Sequence, residues 1–270
     1  MTFFDSCEGR ELVAAVRAAG DILMSYWPGR AAHTNAVVQQ KHDGSLVSTA
    51  DVASNELLTK RLLALFPGEV IFSEEVELRP ESIVAARRVW IIDPLDGTSA
   101  FLEGRDDFSI LVSRCESNRS TVGILFLPAR NIMALASKDG GATANGVPLR
   151  VSRAVTGRKG SVYVRNFEQL HTDLASPMMD SGLALYKVAA GELDGALIRM
   201  KTHREWDIAA PIRLIEEAGG RVTDEHGNAI PLGVGKIEFS CLVASNGIVH
   251  EELQRLIPEC ERQTVTPLIS

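Results

Sequence analysis

The run Val89-Trp90-Ile91-Ile92-Asp93-Pro94-Leu95-Asp96-Gly97-Thr98 places two carboxylates directly after a short apolar segment. Apolar residues followed by a proline and a glycine predict a buried strand that ends near Ile92. Gly97 permits a sharp turn, and Thr98 can lie at the start of a helix. Two interpretations of these residues stay open. One is an ordinary capped turn, and the other is a set of hard oxygen ligands for Mg²⁺ or Mn²⁺ beside a helix start that attracts anions.

Composition restricts the class of protein and of partner. The formal net charge is −7 and no run of Lys or Arg occurs, so a nucleic-acid polymer is not expected as a partner. The 4 cysteines form no CxxC pair and the 6 histidines form no HxH or HxxxH pair, which argues against a zinc site and a disulfide framework. The N-terminus lacks signal-peptide features, and no apolar run approaches the roughly 20 residues of a membrane span. We therefore expect a cytoplasmic protein with no membrane partner.

Periodicity and turn residues predict a mixed α/β (α+β) protein with two lobes. Helical spacing of apolar residues predicts helices over about 12–26, 48–65, 168–174, 183–190 and 207–218. Residues 70–137 are predicted mostly as strands, and the polar stretch 152–160 is the best candidate for a boundary. We expect an N-terminal α+β lobe over residues 1–155 that carries most metal ligands. A C-terminal α/β lobe over residues 156–270 would carry Asp207 and the leaving-group pocket.

Three more acidic residues follow or begin predicted elements. Glu74 comes directly after the apolar segment Val70-Ile71-Phe72, Asp51 lies at the start of a predicted helix, and Asp207 begins another. Each has an ordinary explanation, because acidic residues are common in solvated loops and in the first turns of helices, where the helix dipole favours them. Taken one at a time, these residues do not decide between a structural and a functional role.

Taken together, the acidic segments closely resemble the motifs of the inositol monophosphatase superfamily. The matching segments follow that family's order and spacing and are Lys41–Asp51, Ser73–Glu75, Asp93–Thr98, Gly141–Gly146, Leu149–Ser152, Trp206–Ala210 and Glu217–Gly220. The resemblance implies a layered αβαβα fold of the sugar-phosphatase type. It also implies a lithium-sensitive phosphomonoesterase that uses two or three Mg²⁺ ions, with Mn²⁺ as a substitute, and that is commonly a homodimer.

The resemblance assigns metal ligands to individual residues. Glu74, Asp93 and the Leu95 carbonyl would hold the first ion. Asp93, Asp96 and Asp207 would hold the second, with Asp93 shared between the two. Cations suit the reaction because a phosphate monoester dianion repels hydroxide, and two ions about 4 Å apart can hold both the nucleophile and the leaving group.

Further roles follow from the same resemblance. Gly97 and Thr98 would bind the phosphate through backbone and hydroxyl groups. Asp51 and Thr98, together with Glu74, would orient and deprotonate the attacking water. Glu205 could line the pocket for the leaving group, and a solvated loop is the alternative for that residue.

Three functional hypotheses remain. The leading one is a Mg²⁺-dependent phosphomonoesterase that hydrolyses small phosphorylated alcohols, above all inositol monophosphates, with activated water. A 3′(2′),5′-bisphosphate nucleotidase is the alternative, because the segment Gly104–Ser109 is similar to that branch. The third is a non-catalytic member that binds metal or phosphate. Met200, near the position of an acid that grips inositol hydroxyls in the animal enzymes, weakens the case for strict inositol specificity, and Met179–Gly182 departs from the family's Gly-Ser pair.

Overall fold

The fold was obtained as a computed structural model that describes residues 2–30, 38–40, 46–76, 80–167, 170, 172–201, 203–236 and 238–257. Its helices are α1 (Cys7–Tyr26), α2 (Thr49–Leu65), α3 (Pro80–Val84), α4 (Thr98–Leu102), α5 (Ser181–Ala189), α6 (Glu205–Glu217) and α7 (His250–Leu256). Its strands are β1 (Val38–Gln40), β2 (Leu46–Ser48), β3 (Val70–Ser73), β4 (Arg88–Asp96), β5 (Ser109–Glu116), β6 (Arg119–Leu127), β7 (Ile132–Ser137), β8 (Gly141–Ala144), β9 (Val147–Pro148), β10 (Val162–Arg165), β11 (Gly195–Arg199), β12 (Arg221–Asp224) and β13 (Cys241–Ser245). Within these ranges no helix combines the length and the apolar character needed to cross a bilayer.

The elements stack in the layer order αβαβα. The larger sheet has seven strands in the order β3-β4-β5-β6-β7-β8-β9, in which β3 and β4 run parallel and the other neighbours antiparallel. Helices α1 and α2 cover one face of this sheet, and α6 packs on the other face beside α5. The smaller sheet, in the order β10-β11-β13-β12, packs against α5 and α6 and also contacts α7. The layered fold expected from the resemblance is therefore confirmed.

Alternate residues of β4 contribute to two different cores. Trp90 and Ile92 pack in the cluster that includes apolar residues of α1 and α2. Val89 and Ile91 pack in the cluster that includes apolar residues of α5 and α6. A strand with helices on both faces is buried on both sides, so an uninterrupted apolar run, rather than an alternating one, suits this position.

Strand β4 is longer than the sequence predicts, because it continues past Ile92 to Asp96. Its pairing with β5 shifts register between Asp93 and Asp96, where β4 carries an extra residue. Such a β-bulge bends the strand and re-aims its side chains. Pro94 fits there because a bulge does not require its missing N–H. The two carboxylates therefore lie within the irregular end of a strand that is paired on both sides, and not in a free turn.

Side chains from both predicted lobes share one buried core, which includes Ile91, Tyr163 and Leu214. The polar stretch 152–160, predicted as a boundary, is fixed to the C-terminal part of the chain. Asp194 is fully buried and accepts hydrogen bonds from Ser152 and Ser161 Oγ at 2.7 and 2.6 Å, and from the Arg158 guanidinium. The division into lobes at residue 155 stays a prediction.

The predicted helix near 168–174 is wrong for the residues described there, 170 and 172–174. Val162 N donates to Leu174 O at 2.8 Å, and Ser176 N donates to Val162 O at 2.7 Å. Residues 173 and 174 form a turn, and Ala175 makes an isolated parallel bridge with Val162 of β10. Backbone pairing there outweighs the helical spacing of the apolar residues.

Candidate active site

Three carboxylates meet where β4 ends against the start of α6. Asp93 and Asp96 are only 1 and 6% exposed, and Asp207 lies in the first turn of α6. One oxygen from each of the three lies within 4.8 Å of the other two. The structure thus brings together the residues that the resemblance assigns to the second metal ion, although two come from a sheet and one from a distant helix.

Packing and capping together set the position of Asp207. Arg204 N donates to Asp207 Oδ2 at 2.5 Å, which fixes the carboxylate at the helix start. The preceding Trp206 packs its ring against Phe72 of β3, with ring centroids 5.2 Å apart. Trp206 is therefore a packing residue that holds the start of α6 against the end of the larger sheet.

The carboxylates of this cluster repel one another. Burial raises the pKa of Asp93 well above its ordinary value, and the charges of Glu74, Asp96 and Asp207 raise it further. Burial also raises the pKa of Asp207 to about 7, although a backbone hydrogen bond from Arg204 acts in the opposite direction. The charge of Glu74 acts on both residues, but its carboxylate is not among the oxygens that lie within 4.8 Å of one another.

This donor set fits a hard divalent cation. Carboxylate and carbonyl oxygens are the ligands that Mg²⁺ prefers in proteins. Asp93 Oδ1 accepts a hydrogen bond from Leu95 N at 3.0 Å, so the carboxylate and the peptide that follows it are fixed relative to each other. A cation would offset the repulsion among the buried carboxylates that otherwise favours their protonation.

Asp51 and Thr98 form a second polar pair beside the cluster. Thr98 Oγ1 lies 3.4 Å from Asp51 Oδ1 and 3.3 Å from Leu95 O. The other oxygen of Asp51 accepts from Ser48 N and Ser48 Oγ at 2.8 and 2.5 Å in a capping box of α2. Asp51 does lie in the first turn of α2, as its ordinary explanation requires, and its remaining oxygen still faces Thr98. Ser54 Oγ donates to the carbonyl oxygen of the bulge proline at 2.9 Å and ties α2 to β4.

Gly97 connects the bulge to α4 in a conformation that suits glycine. Its φ is 82°, in the left-handed region. A Cβ at this position would also lie 2.9 Å from Asp180 Cγ. Gly97 is therefore required both by its dihedral angle and by the closeness of a carboxylate from α5's N-cap.

Asp180 is a residue beside the cluster that its sequence context did not indicate. Asp180 is 7% exposed. Burial raises the pKa of Asp96 well above its ordinary value, and the charge of Asp180 raises it further. Arg165 Nη1 of β10 lies 3.8 Å from Asp180 Oδ2. Burial raises the pKa of Asp180, although hydrogen bonds and the charge of Arg165 lower it. Because these contacts join distant parts of the chain, the only sequence signal was an Asp-Ser-Gly helix cap.

The start of α5 is fitted closely to the cluster. Asp107 Oδ2 accepts from Asp180 N at 2.8 Å, which gives the segment Gly104–Ser109 a positioning role. Ser109 Oγ donates to Asp96 Oδ2 at 2.9 Å. A Cβ on Gly182 would overlap both of these side-chain oxygens. The absence of a side chain at that position lets α5 approach Asp96.

Glu205 has a different place from that expected. Its carboxylate is 2% exposed and accepts hydrogen bonds from the backbone N–H groups of Gly233, Val234 and Lys236. The prediction that it lines the leaving-group pocket is wrong, because both oxygens are engaged in holding the loop at 233–236. Nor does it lie in a solvated loop.

Comparison with known proteins places these features in a family. Residues 8–262 match the model of the inositol monophosphatase family. An inositol-1-monophosphatase from Rhizobium meliloti is 33% identical, over 83% of this chain and 88% of the relative. A fructose-1,6-bisphosphatase/inositol-1-monophosphatase from Thermotoga maritima is 28% identical, over 92 and 94% of the two chains. A histidinol-phosphatase from Chlorobaculum parvum is 28% identical over 90 and 94%.

A solved structure agrees with these sequence matches. The extragenic suppressor protein suhB from Bartonella henselae superposes with a TM-score of 0.79 at 25% identity, over 94% of this chain and 99% of the other. The relatives' names cover more than one phosphate ester, so they identify a class of reaction and no single substrate. From the match over nearly the whole chain, the shared fold and the carboxylates gathered at the end of β4, we conclude that this chain belongs to the inositol monophosphatase family of phosphatases.

Proposed function

We propose that the protein is a Mg²⁺-dependent phosphomonoesterase of small phosphorylated alcohols, with inositol monophosphates as the preferred substrates. The observation that carries this proposal is the convergence of Asp93, Asp96 and Asp207, whose oxygens lie within 4.8 Å of one another. Family membership supports the class of reaction. The identity of the cation, the number of cations bound and the identity of the substrate go beyond family membership and belong to the proposal.

Two sets of oxygen ligands would hold the cations. Glu74, Asp93 and the Leu95 carbonyl form one set, and Asp93, Asp96 and Asp207 form the other. When bound, divalent cations would supply the positive charge that a phosphate dianion needs before water can attack it. We propose that two ions, or three, are bound during the reaction. Mn²⁺ would substitute for Mg²⁺ because it accepts the same hard oxygen ligands.

Asp51 and Thr98 would prepare the attacking water. Thr98 Oγ1 lies within 3.4 Å of Asp51 Oδ1, so the hydroxyl can pass a proton towards that carboxylate while its oxygen accepts one from water. Burial raises the pKa of Asp51, with hydrogen bonds from Ser48 opposing this, and a raised pKa makes a carboxylate a better proton acceptor. The charge of Glu74 acts on Asp51, and Glu74 would help that residue to orient and deprotonate the water.

Gly97 and Thr98 would hold the phosphate. The left-handed conformation of Gly97 turns the chain from β4 into α4, which brings the backbone amide of Thr98 and its hydroxyl to the same end of the strand as the carboxylates. Backbone amides are suitable partners for phosphoryl oxygens because they bring no mobile charge and are already ordered.

Phosphate release tests the proposal. Purified protein is assayed with inositol 1-phosphate, 3′-phosphoadenosine 5′-phosphate and fructose 1,6-bisphosphate, each with Mg²⁺ and with EDTA. We expect Mg²⁺-dependent release, highest for inositol 1-phosphate. The variant Asp106→Asn removes an exposed carboxylate outside the cluster and serves as the control. Preference for the nucleotide would replace the proposed substrate with the bisphosphate nucleotidase alternative, and no release from folded protein would favour the non-catalytic hypothesis.

The remaining expectations are proposals with tests of their own. A homodimer would elute and sediment at twice the mass of the chain. Lithium at millimolar concentration would inhibit Mg²⁺-dependent release. The described cysteines Cys7, Cys115 and Cys241 are free thiols, which suits a reducing cytoplasm and can be checked by localising a tagged protein.

A further inference from the structure

Glu205, the first residue of α6, is held by the backbone of a distant loop. Its carboxylate is 2% exposed and accepts hydrogen bonds from Gly233 N, from Val234 N at 3.2 Å and from Lys236 N at 2.9 Å. Gly233 and Gly235 have φ values of 74 and 78°, and left-handed residues of this kind turn neighbouring N–H groups towards one anion. An acidic residue favoured only by the helix dipole would need none of these partners and would stay in solvent.

The loop at 233–236 is attached to the larger sheet by contacts that do not involve Glu205. Leu232 N donates to Asn118 O, in the turn between β5 and β6, at 3.0 Å. A Cβ on Gly233 would lie 3.1 Å from Cys115 Cβ and 3.9 Å from Val89 Cβ, so the loop backbone lies directly against β5 and β4. Leu232 is 1% exposed and packs in the core that β4 and α6 share. Glu205 therefore attaches the start of α6 to a point that is already fixed.

Glu205 and the proposed cation ligand Asp207 lie two residues apart in the first turn of α6. At about 100° per residue, their side chains leave the helix on nearly opposite sides. A contact that fixes one side of a helical turn also fixes the rotation of its other side about the helix axis. Because the loop lies against Val89, the helix start and the strand that carries Asp93 and Asp96 are attached to the same part of the sheet.

We propose that Glu205 is a positioning residue for the cation site and fixes Asp207 relative to the carboxylates of β4. The inference rests on the proposed function, because it concerns the cation that these carboxylates would hold. Both oxygens of Glu205 are bound to the loop, so it acts through the helix and not by touching the ion or the substrate. Removing a group that orients metal ligands typically lowers metal affinity by about 10–100-fold.

Glu225 provides a matched control for a purely structural role. It is also buried, at 4% exposure, and it accepts hydrogen bonds from Ser240 N at 3.1 Å and Cys241 N at 3.0 Å. These contacts hold the other end of the connection between β12 and β13. Glu205→Gln and Glu225→Gln therefore each remove a buried charge from the backbone N–H groups of one connection, but only Glu205→Gln does so at the start of α6.

Cation affinity tests the proposal. Mn²⁺ binding is measured by calorimetric titration, and the half-saturating Mg²⁺ concentration is measured from phosphate release with inositol 1-phosphate. We expect Glu205→Gln to weaken Mn²⁺ binding and to raise the half-saturating Mg²⁺ concentration, each by about tenfold. The KM for inositol 1-phosphate at saturating Mg²⁺ should not change, because Glu205 does not touch the substrate. Glu225→Gln should leave both cation values unchanged. Wild-type cation values in Glu205→Gln, or equal changes in the two variants, overturn the inference.

A second pair of variants keeps the test decisive if Glu205→Gln folds poorly. Gly233→Ala leaves Glu205 intact and crowds the loop against Cys115, which displaces the N–H groups that hold the helix. Gly227→Ala introduces a similar left-handed strain, at φ 85°, in the part of the connection beside α7. We expect weaker Mn²⁺ binding in Gly233→Ala and wild-type binding in Gly227→Ala. Equal Mn²⁺ affinities in these two variants overturn the inference.

Hydrogen exchange separates the inference from the proposed function. Amide exchange in the first turn of α6 is measured in EDTA, where no cation contributes, and should be faster in Glu205→Gln than in Glu225→Gln or the wild type. If the wild type binds no Mn²⁺ and releases no phosphate, the proposed function is overturned. This exchange difference then decides whether Glu205 positions the helix start, and equal exchange overturns that role. Wild-type binding of Mn²⁺ with the same affinity in Glu205→Gln overturns the positioning role alone.

Discussion

Replacing Gly97 by alanine tests the geometry of the site at its most crowded point. Gly97 has φ 82°, and an added Cβ would lie 2.9 Å from Asp180 Cγ. The left-handed conformation costs a non-glycine residue about 1–2 kcal/mol. Overlap with a packed side chain costs about 1–3 kcal/mol more. We therefore expect Gly97→Ala to lower the free energy of unfolding by about 2–5 kcal/mol.

Gly146 provides a matched control for the backbone strain. It has the same φ of 82°, it lies in the turn between β8 and β9, and a Cβ there would have no atom within 4 Å. Gly146→Ala should therefore cost only the backbone strain of about 1–2 kcal/mol and leave activity unchanged. The difference between the two variants measures the contact with Asp180.

The assay is urea unfolding in EDTA, followed by phosphate release with Mg²⁺. In the double variant Gly97→Ala/Asp180→Ala, the clashing carboxylate is gone, so we expect a coupling of about 1–3 kcal/mol between the substitutions. Because Gly97→Ala displaces the proposed phosphate site, its kcat/KM should fall about 100-fold. Equal destabilisation by Gly97→Ala and Gly146→Ala, or additive effects in the double variant, would refute the reasoning.

Three further predictions concern the carboxylates and the hydroxyl beside them. Asp93→Asn should abolish Mg²⁺-dependent turnover and weaken Mn²⁺ binding in calorimetry, since both proposed ions share that carboxylate; near-normal turnover at saturating Mg²⁺ would contradict this. Thr98→Ala should lower kcat by about 100-fold, because it removes the hydroxyl 3.4 Å from Asp51 Oδ1; a change confined to KM would reassign Thr98 to binding. In EDTA, the free energy of unfolding should fall as the pH rises from about 4 to about 7. The native state keeps protons on Asp93 and on Asp207, whose pKa is raised from 3.8 to about 7, and the unfolded chain releases them. Unfolding curves at several pH values should show this slope in EDTA and lose it with saturating Mg²⁺, and a flat profile in EDTA would argue against a buried, mutually repelling cluster.

The local sequence predicted the cluster of carboxylates at the end of β4, but it did not predict how far that strand extends. The apolar run before Asp93 was sufficient to predict a buried strand. The strand's extension to Asp96 was not predictable, because Pro94 and the bulge interrupt the apolar pattern while pairing with β5 continues. The position of Asp93 and Asp96 after an apolar run was thus enough to select them as candidates. The direction of their side chains depends on the pairing of β4 with β5, which the local sequence does not contain.

Residues that act through distant contacts were beyond local sequence analysis. Glu205 directly precedes Trp206–Ala210, one of the segments that carry the resemblance, yet its carboxylate accepts hydrogen bonds from the loop at 233–236. Asp180 lies in a segment that departs from the family's pattern and that also has a helix-capping Asp-Ser-Gly sequence, and neither feature indicates that it lies against Gly97. Neither orientation follows from helical spacing, because each depends on a segment far away in the chain.

The position of α6 between the two sheets has a consequence for the lifetime of the protein. Asp207 comes from this helix, whereas Asp93 and Asp96 come from the larger sheet, so a cation held by all three would tie together layers that must separate when the chain unfolds. Opening of that interface would then require the cation to leave. Amide hydrogen exchange in α6 and the rate of proteolytic digestion would both become slower as free divalent cation increases, and the cell's cation concentration would help to set how long each molecule survives.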